Sequence, residues 1–353
     1  MLRIAVIAFE FPHYDQKTGG VSHFNERLCT ELHKLGHDVT AYVIDQSGVR
    51  TSYKRVSLRH QTMEPSRIYR YYIAPVLARK WDFLGYDLVI SNGDDWAMRR
   101  GTAWVRIMHG SSLRKAQRSR KMLHRLNHYL LYALESLSIV RSSVTFFNSE
   151  DTMRIFPRRS KDVVRSLPVD VDCFKPSHLK CGTPTILFVG GIWGRKRGAL
   201  LLDLFESVIT RKVYGVQLWM VSDEGRPIKG VTYFSKPPSV EQLALLYARA
   251  HVFCLPSEYE GFGLPYLEAM SSGTIVVSSS NPGAREVLAD GKYGIIVADE
   301  ELADALVQAL ENPRSYEDMR LRARQRATEC SWEKIIPSYL SAVENNSFRG
   351  LDW

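Results

Sequence analysis

The chain has 353 residues, 45% of them hydrophobic and 24% charged, enough for two domains that each bury a core. Its five cysteines, at positions 29, 173, 181, 254 and 330, are odd in number and contain no Cys-x-x-Cys pair, which argues against a disulfide framework or a zinc site and fits a cytoplasmic, reducing home. No run of about eighteen apolar residues exists, so no membrane span is expected.

Arg3–Phe9 reads as a buried first strand and not as a signal peptide, since one basic residue and a short apolar run end at Glu10. A polar loop leads to Gly19 and Gly20, after which Val21–Leu35 carries Phe24, Leu28, Leu32 and Leu35 at helical spacing. Gly36–Ile44 turns into a second strand, and such β-α-β alternation predicts a parallel, doubly wound sheet. Gly19 and Gly20 sit at the strand-to-helix turn where ligands meet open α/β sheets. A nicotinamide fold would want Gly-x-Gly-x-x-Gly there, and that pattern is absent. Tyr86–Ser91 and Ala103–Met108 read as further strands, ending in the polar turns Asn92–Asp95 and His109–Ser112. Asp94 and Asp95 read better as turn formers than as acceptor ligands, and a lone His109 is more often structural than catalytic.

Residues 96–134 contain no acid. Within them Arg114, Arg118, Lys121 and Arg125 recur every three or four residues, while Leu123, Leu126, Leu130, Leu134 and Leu137 fall opposite at about 100° per residue. That pattern predicts one helix, basic outward, with its leucines packed inward. Residues 1–165 hold 27 Lys and Arg against 15 Asp and Glu, and residues 166–353 hold 20 against 23, so anionic partners belong to the first half. The basic helix near residues 112–126 is therefore expected to rest by charge alone, without insertion, on an anionic membrane surface or a lipid-linked acceptor, with peripheral attachment at the inner face. The plainer alternative is a solvated helix. Val144–Phe147 makes another strand, and Pro168 and Pro176 mark an extended connection.

Thr185–Val189 opens a second sheet and runs into Gly190, Gly191, Gly194, Arg195, Lys196, Arg197 and Gly198. Three adjacent cations at a glycine-rich helix entry suit a diphosphate. Val216–Ser222 reads as a strand, and Ser239 as the N-cap of helix Val240–Ala250. His251–Pro256 reads as a short buried strand. It leads to Glu260-Gly261-Phe262-Gly263-Leu264-Pro265-Tyr266-Leu267-Glu268, where glycines permit close backbone approach and a helix N-terminus favours an anion. Eight residues at about 1.5 Å rise separate the two carboxylates by roughly 10 Å, too far for an acid/base pair on one bond. They read as grips on two parts of one elongated ligand. Helices Glu301–Leu310 and Tyr316–Cys330 follow, and a last one starts at Ser331.

The Glu260-x7-Glu268 pattern, with Ala269–Val277 and Arg285–Leu288, closely resembles the nucleotide-binding half of glycosyltransferase family 4, strongly over residues 185–298 and weakly over 37–108. The resemblance implies the α/β GT-B fold, two doubly wound parallel-sheet domains facing across a cleft: 1–168 for the acceptor, 169–330 for the donor, and 331–353 a C-terminal helix returning to the first domain. It implies retaining, metal-independent transfer from a nucleotide-diphosphate sugar, such as a UDP-sugar or GDP-sugar, to a glycan, lipid-linked or other acceptor hydroxyl. Polysaccharide or glycolipid synthesis at the cell surface is the implied setting, with no cofactor and no nucleic-acid partner.

The same resemblance implies residue roles. Arg195 and Lys196 would serve the phosphates, with Arg197 in reserve. Glu260 would orient the donor sugar and Glu268 would accept from the ribose diol, with Gly261, Phe262, Gly263 and Leu264 lining the turn between them. Gly19 and Gly20 would close over the donor phosphates, and His109 would lie near the reacting carbon. Three departures stand out: Gly191 where the family often has Arg, Ser222–Gly225 in place of Gly-x-Gly, and Val169 and Asp170 in place of Asn and Gly at the linker. The alternatives are a related epimerase or phosphorylase, or a sugar-nucleotide binding module without catalysis.

Overall fold

A computed structural model describes residues 1–12, 20–45, 51–59, 66–93, 95–99, 101–119, 121–236 and 238–344. The chain divides into two compact units, Met1–Ser166 with Ile335–Trp353, and Leu167–Lys334. Gly19 and Asp94 lie outside the described residues.

The first unit holds strands β1 (Arg3–Ile7), β2 (Asp38–Asp45), β3 (Lys54–Arg59), β4 (Leu88–Ser91), β5 (Trp104–Met108), β6 (Val144–Phe147) and β7 (Val163–Val164). They form one sheet in the order β3-β2-β1-β4-β5-β6-β7, with every pairing parallel. Ile4 to Ile7 are all fully buried, the continuous apolar run demanded of a strand covered on both faces. Helix Gly20–Lys34 between β1 and β2 buries Phe24, Leu28 and Leu32, while Leu35, just past its end, is exposed. Strand β3 gives no clear sequence signal because it is a half-buried edge with Lys54 and Arg55 at its start. Strand order reverses between β1 and β4, and the chain ends beyond both are the natural ligand crevice of this unit.

The second unit holds β8 (Thr185–Val189), β9 (Gln217–Val221), β10 (Val231–Tyr233), β11 (Val252–Leu255), β12 (Ile275–Ser279) and β13 (Ile295–Val297). Their order is β10-β9-β8-β11-β12-β13, again wholly parallel. The reversal falls between β8 and β11, which pair directly through Ile186 with Val252 and Leu187 with Phe253. Ser239 caps helix Val240–Arg249, its hydroxyl accepting from the Gln242 amide at 3.2 Å while Gln242 reaches back to the Ser239 amide at 2.9 Å. Helix Trp332–Glu344 starts in this unit and ends in the first, where buried Tyr339 lies 5.2 Å from the Phe146 ring.

The acid-free stretch departs from its expected form. It folds as two helices, Ser112–Arg118 and Met122–Arg141, with Ser119 and Lys121 extended between them. The longer helix is also turned the other way: Leu123 is 79% exposed and Leu126 54%, with Leu130 and Leu137 exposed as well, and Leu131, Ser138 and Ile139 are buried instead. Buried polar groups set this rotation. Arg106 on β5 pairs with Asp95, both with almost no solvent contact, and the Ser138 hydroxyl donates to the same carboxylate. One turn earlier Glu135 accepts from the Ser112 amide at 3.0 Å and its hydroxyl at 2.7 Å. Leaving a buried charge without such partners costs more than exposing leucines, so the face bearing Glu135 and Ser138 goes inward. Asp95 is thus a core ion-pair partner and not merely a turn former. Arg114 is not an outward cation either, since it pairs with Asp151 at 2.6 Å.

Candidate active site

In the second unit the loops leaving β8 and β11 lie side by side, because those strands are paired neighbours at the reversal point. The β8 loop brings the cations. Lys196 folds back over Gly190 and donates to the Val189 carbonyl at 3.1 Å; a methyl group at Gly190 would overlap its Cδ. Burial lowers the Lys196 pKa, the chief influence on it; Arg195 lowers it further, while Glu260 and Glu268 act in the opposite sense. Lys196 thus feels both carboxylates of the motif at once.

Arg195 donates to the Tyr259 carbonyl at 2.6 Å and forms an ion pair with Glu260 at 2.6 Å, with half of its side chain still open to solvent. Arg197 has a different task. It adopts a left-handed backbone, φ 52°, at the entry of helix Gly198–Leu204, and its guanidinium is held bidentately by Asp299 at 2.6 and 2.8 Å and by the Pro256 carbonyl at 2.6 Å. A strained conformation of this kind persists only where its surroundings over-determine it. Arg197 therefore braces the turn that presents Lys196, with its guanidinium engaged by Asp299 and the Pro256 carbonyl.

The β11 loop brings the first carboxylate. Glu260 is buried and accepts from the Ser257 hydroxyl at 3.0 Å, while its carbonyl accepts the Gly283 amide at 2.9 Å. A Cβ on Gly283 would come within 2.5 Å of the Phe262 carbonyl oxygen, so only glycine lets helix Pro282–Val287 approach this turn. Gly263, at φ 96°, opens helix Leu264–Ser271, and a side chain there would collide with the Tyr266 ring. Pro265 brings no amide hydrogen and the Tyr266 amide is used by the Gly263 carbonyl at 2.9 Å, which leaves the Gly263 and Leu264 amides at the helix mouth. About one turn into that helix, burial raises the Glu268 pKa to about 7, against the pull of Tyr247 and Lys196. Tyr247 beneath it is fully buried.

The second unit therefore brings together Arg195, Lys196, Glu260, Gly261, Phe262, Gly263, Leu264 and Glu268. Gly20 and His109 belong to the first unit. Gly20 is the first residue of its helix, with open space where a Cβ would point. His109 follows β5, hydrogen-bonded through Nε2 to Asn92 Oδ1 at 3.1 Å and edge-on to Phe24 at 4.7 Å. Burial lowers its pKa to about 4, so the ring is neutral near pH 7. Asn148 donates to the His109 carbonyl at 3.1 Å. Among the described residues the Asn92 amide nitrogen and the Asn148 amide oxygen are buried without a partner, polar capacity that a ligand beside His109 would use. Sequence reading missed Ser257, Tyr247 and Asp299. Ser257, three residues before Glu260 in a strand-end turn, offered a faint signal; the other two are distant in sequence and offered none.

Two family models match the chain, one described as Glycosyltransferase Family 4 over residues 18–171 and one as Glycosyl transferases group 1 over residues 183–312. The chain is 38% identical over 122 residues to the MMP alpha-(1->4)-mannosyltransferase of Mycolicibacterium hassiacum, covering 33% of this chain and 30% of that protein. It is 36% identical over 131 residues to the O-antigen chain mannosyltransferase B of Escherichia coli, covering 36% of this chain and 33% of that protein. These matches span about a third of the length of each relative. The sucrose-phosphate synthase structure from Thermosynechococcus elongatus superposes with a TM-score of 0.79 at 20% identity, over 98% of this chain and 99% of that one. With two wholly parallel α/β sheets and these matches along its length, the chain belongs to glycosyltransferase family 4 and has the GT-B fold.

Proposed function

We propose that the protein is a retaining glycosyltransferase that moves a sugar from a nucleotide-diphosphate sugar to an acceptor hydroxyl. The observation that carries this reading is the gathering of Lys196, Arg195 and Glu260 on the two loops at the strand reversal of the second unit, with Glu268 on the helix that follows the second loop. Cations there would meet the diphosphate, Glu260 the sugar hydroxyls and Glu268 the ribose diol. The first unit, with His109 and its under-used asparagines, would take the acceptor and the near face of the donor sugar.

In the proposed reaction the bond between the anomeric carbon and the β-phosphate oxygen breaks, and its electron pair leaves with the diphosphate. The acceptor oxygen bonds to the same face of that carbon, and its proton passes to the departing phosphate oxygen. Negative charge grows on the leaving group, where Arg195, Lys196 and the amides at Gly263 and Leu264 would stabilise it most. His109, neutral and fixed by Asn92, would hydrogen-bond the sugar without adding charge next to a developing cation. The mannosyltransferase relatives support an acceptor that is a glycan or a glycolipid precursor.

The test is product analysis with a panel of UDP- and GDP-sugars, first ranked by the thermal stabilisation each confers. Nucleotide release that depends on acceptor, with a product of unchanged anomeric configuration by NMR, supports the reading. An isomerised donor would indicate an epimerase, and binding without turnover would indicate a binding module.

A further inference from the structure

Among the described tryptophans, Trp193 alone stands in solvent: it is 83% exposed, whereas Trp81, Trp104 and Trp332 are buried and Trp96 and Trp219 half-buried. It lies on the β8 loop, just after buried Ile192 and two residues before Arg195. Backbone hydrogen bonds fix the loop on both sides of the ring. The Ala199 amide donates to the Ile192 carbonyl at 2.9 Å, and the Arg197 amide to the Gly194 carbonyl at 3.1 Å. An indole presented from a fixed backbone offers a large apolar face at a low cost in side-chain entropy.

The β11 loop adds a carboxylate beside it. The Glu258 amide donates to the Arg195 carbonyl at 2.9 Å, and Glu258 is exposed. Since the Arg195 and Trp193 Cα atoms are at most about 7 Å apart, the ring and the carboxylate share one rim. An apolar face next to acceptor oxygens matches a pyranose, which carries C–H groups on its face and hydroxyl donors at its edge. A free phosphate would gain nothing from the indole. Position then selects which ring. In the proposed donor site Glu268 meets the ribose and Glu260 the transferred sugar. Glu258 is two residues from Glu260, and Arg195 is ion-paired with Glu260, so the rim lies at the sugar end of the donor and not at the base end. Glu260 is buried, whereas Trp193 and Glu258 face solvent, outside the donor sugar, where the ring that receives it arrives.

We propose that Trp193 and Glu258 form an acceptor subsite for a glycan, whose pyranose ring stacks its C–H face on the indole while its hydroxyls donate to the carboxylate. The proposal rests on the glycosyl-transfer reading and deepens it by making the acceptor a carbohydrate ring. The β8 loop then has two tasks: Arg195 and Lys196 serve the leaving diphosphate, and Trp193 selects what receives the sugar.

The experiment titrates the purified full chain, saturated with the nucleotide that stabilises it most, with maltotriose and with α-linked mannotriose, followed by tryptophan fluorescence and calorimetry. The expected result is saturable binding of at least one trisaccharide with a change in emission. Trp193→Ala should weaken that binding at least about tenfold and abolish the emission change. Trp193→Phe, which keeps an aromatic face, should retain most of the affinity, and Glu258→Gln should fall between the two. Nucleotide affinity should be the same in the native chain and all three variants. Because every replaced side chain is exposed, melting should be unchanged as well. Absence of saturable binding of either trisaccharide by the native chain, or a Trp193→Ala chain that binds as tightly as the native one, overturns the proposal. So does a loss of nucleotide affinity in Trp193→Ala, since the ring would then stack on the base. The transfer reading is checked separately: a chain that binds no nucleotide-sugar refutes that reading and the acceptor role with it, whereas nucleotide binding without trisaccharide binding refutes the subsite alone.

Discussion

Arg195 and Glu260, one on each of the two loops at the reversal point of the second sheet, are ion-paired at 2.6 Å. The pairing links the two halves of the proposed donor site. Because the arginine side chain is half exposed while the carboxylate is buried, part of the guanidinium remains available to a phosphate. Glu260→Gln should therefore slow turnover and also loosen Arg195, so that the effects of Glu260→Gln and Arg195→Ala are not additive. A double-mutant cycle on kcat/KM should show coupling of about 1 kcal/mol or somewhat more. Strict additivity would show that the pair does not act as one unit in catalysis.

Lys196 and Arg197 are adjacent but should fail differently. Lys196→Ala leaves the turn braced and should depress kcat/KM by about 1.5–3 kcal/mol, the worth of a hydrogen bond to a charged group, with an unchanged melting temperature. Arg197→Ala breaks the bidentate contact to Asp299, and its main effect should be a lower melting temperature. The reverse pattern in paired melting and kinetic measurements would reassign the phosphate ligand to Arg197.

Gly283→Ala should destabilise the protein, because the new methyl group meets the backbone oxygens of Phe262 and Glu260, which cannot swing aside. Overpacking against backbone typically costs about 1–3 kcal/mol. Asp95→Ala should cost more, about 3–5 kcal/mol, by leaving Arg106 buried and uncompensated. Urea denaturation of both variants checks the order; an Asp95→Ala chain as stable as the native one would remove the ion pair as the cause of the helix rotation.

Much of the fold was legible because parallel strands covered on both faces leave an unmistakable apolar run, as in Ile4–Ile7 and Val252–Leu255, and because Ser239 and Gln242 spell out a helix start. The donor loops were legible for a related reason: Glu260, Gly263, Lys196 and Glu268 are close in sequence to the strand ends that position them. The rotation of helix Met122–Arg141 was not, because periodicity locates an apolar stripe without saying which way it faces. Here the deciding partners, Arg106 and Asp95, lie outside the helix altogether. The brace between Arg197 and Asp299 was hidden in the same way, by a separation of about a hundred residues.

Glu268 supplies the last prediction, through its pKa of about 7 against an ordinary value near 4.5. Burial is the cause, so the folded chain favours the protonated carboxyl. A carboxyl whose folded pKa is raised contributes stability that is complete below about pH 4.5 and is lost as pH rises toward 7. Glu268→Gln, which keeps the shape and cannot ionise, should remove that slope and be relatively more stable than the native chain above pH 7, by on the order of 1–3 kcal/mol. Ligand binding should run the other way. A ribose diol donates to the ionised carboxylate, so affinity for a nucleotide-diphosphate sugar should rise between about pH 6 and 8, a window in which its doubly esterified diphosphate does not titrate. The depressed Lys196 sets the upper limit, since its charge is lost as pH climbs further. Calorimetric titration of the native chain and of Glu268→Gln across this range decides the matter: a rise of equal steepness in both would exclude Glu268 as the ribose ligand, and a rise confined to the native chain would support it.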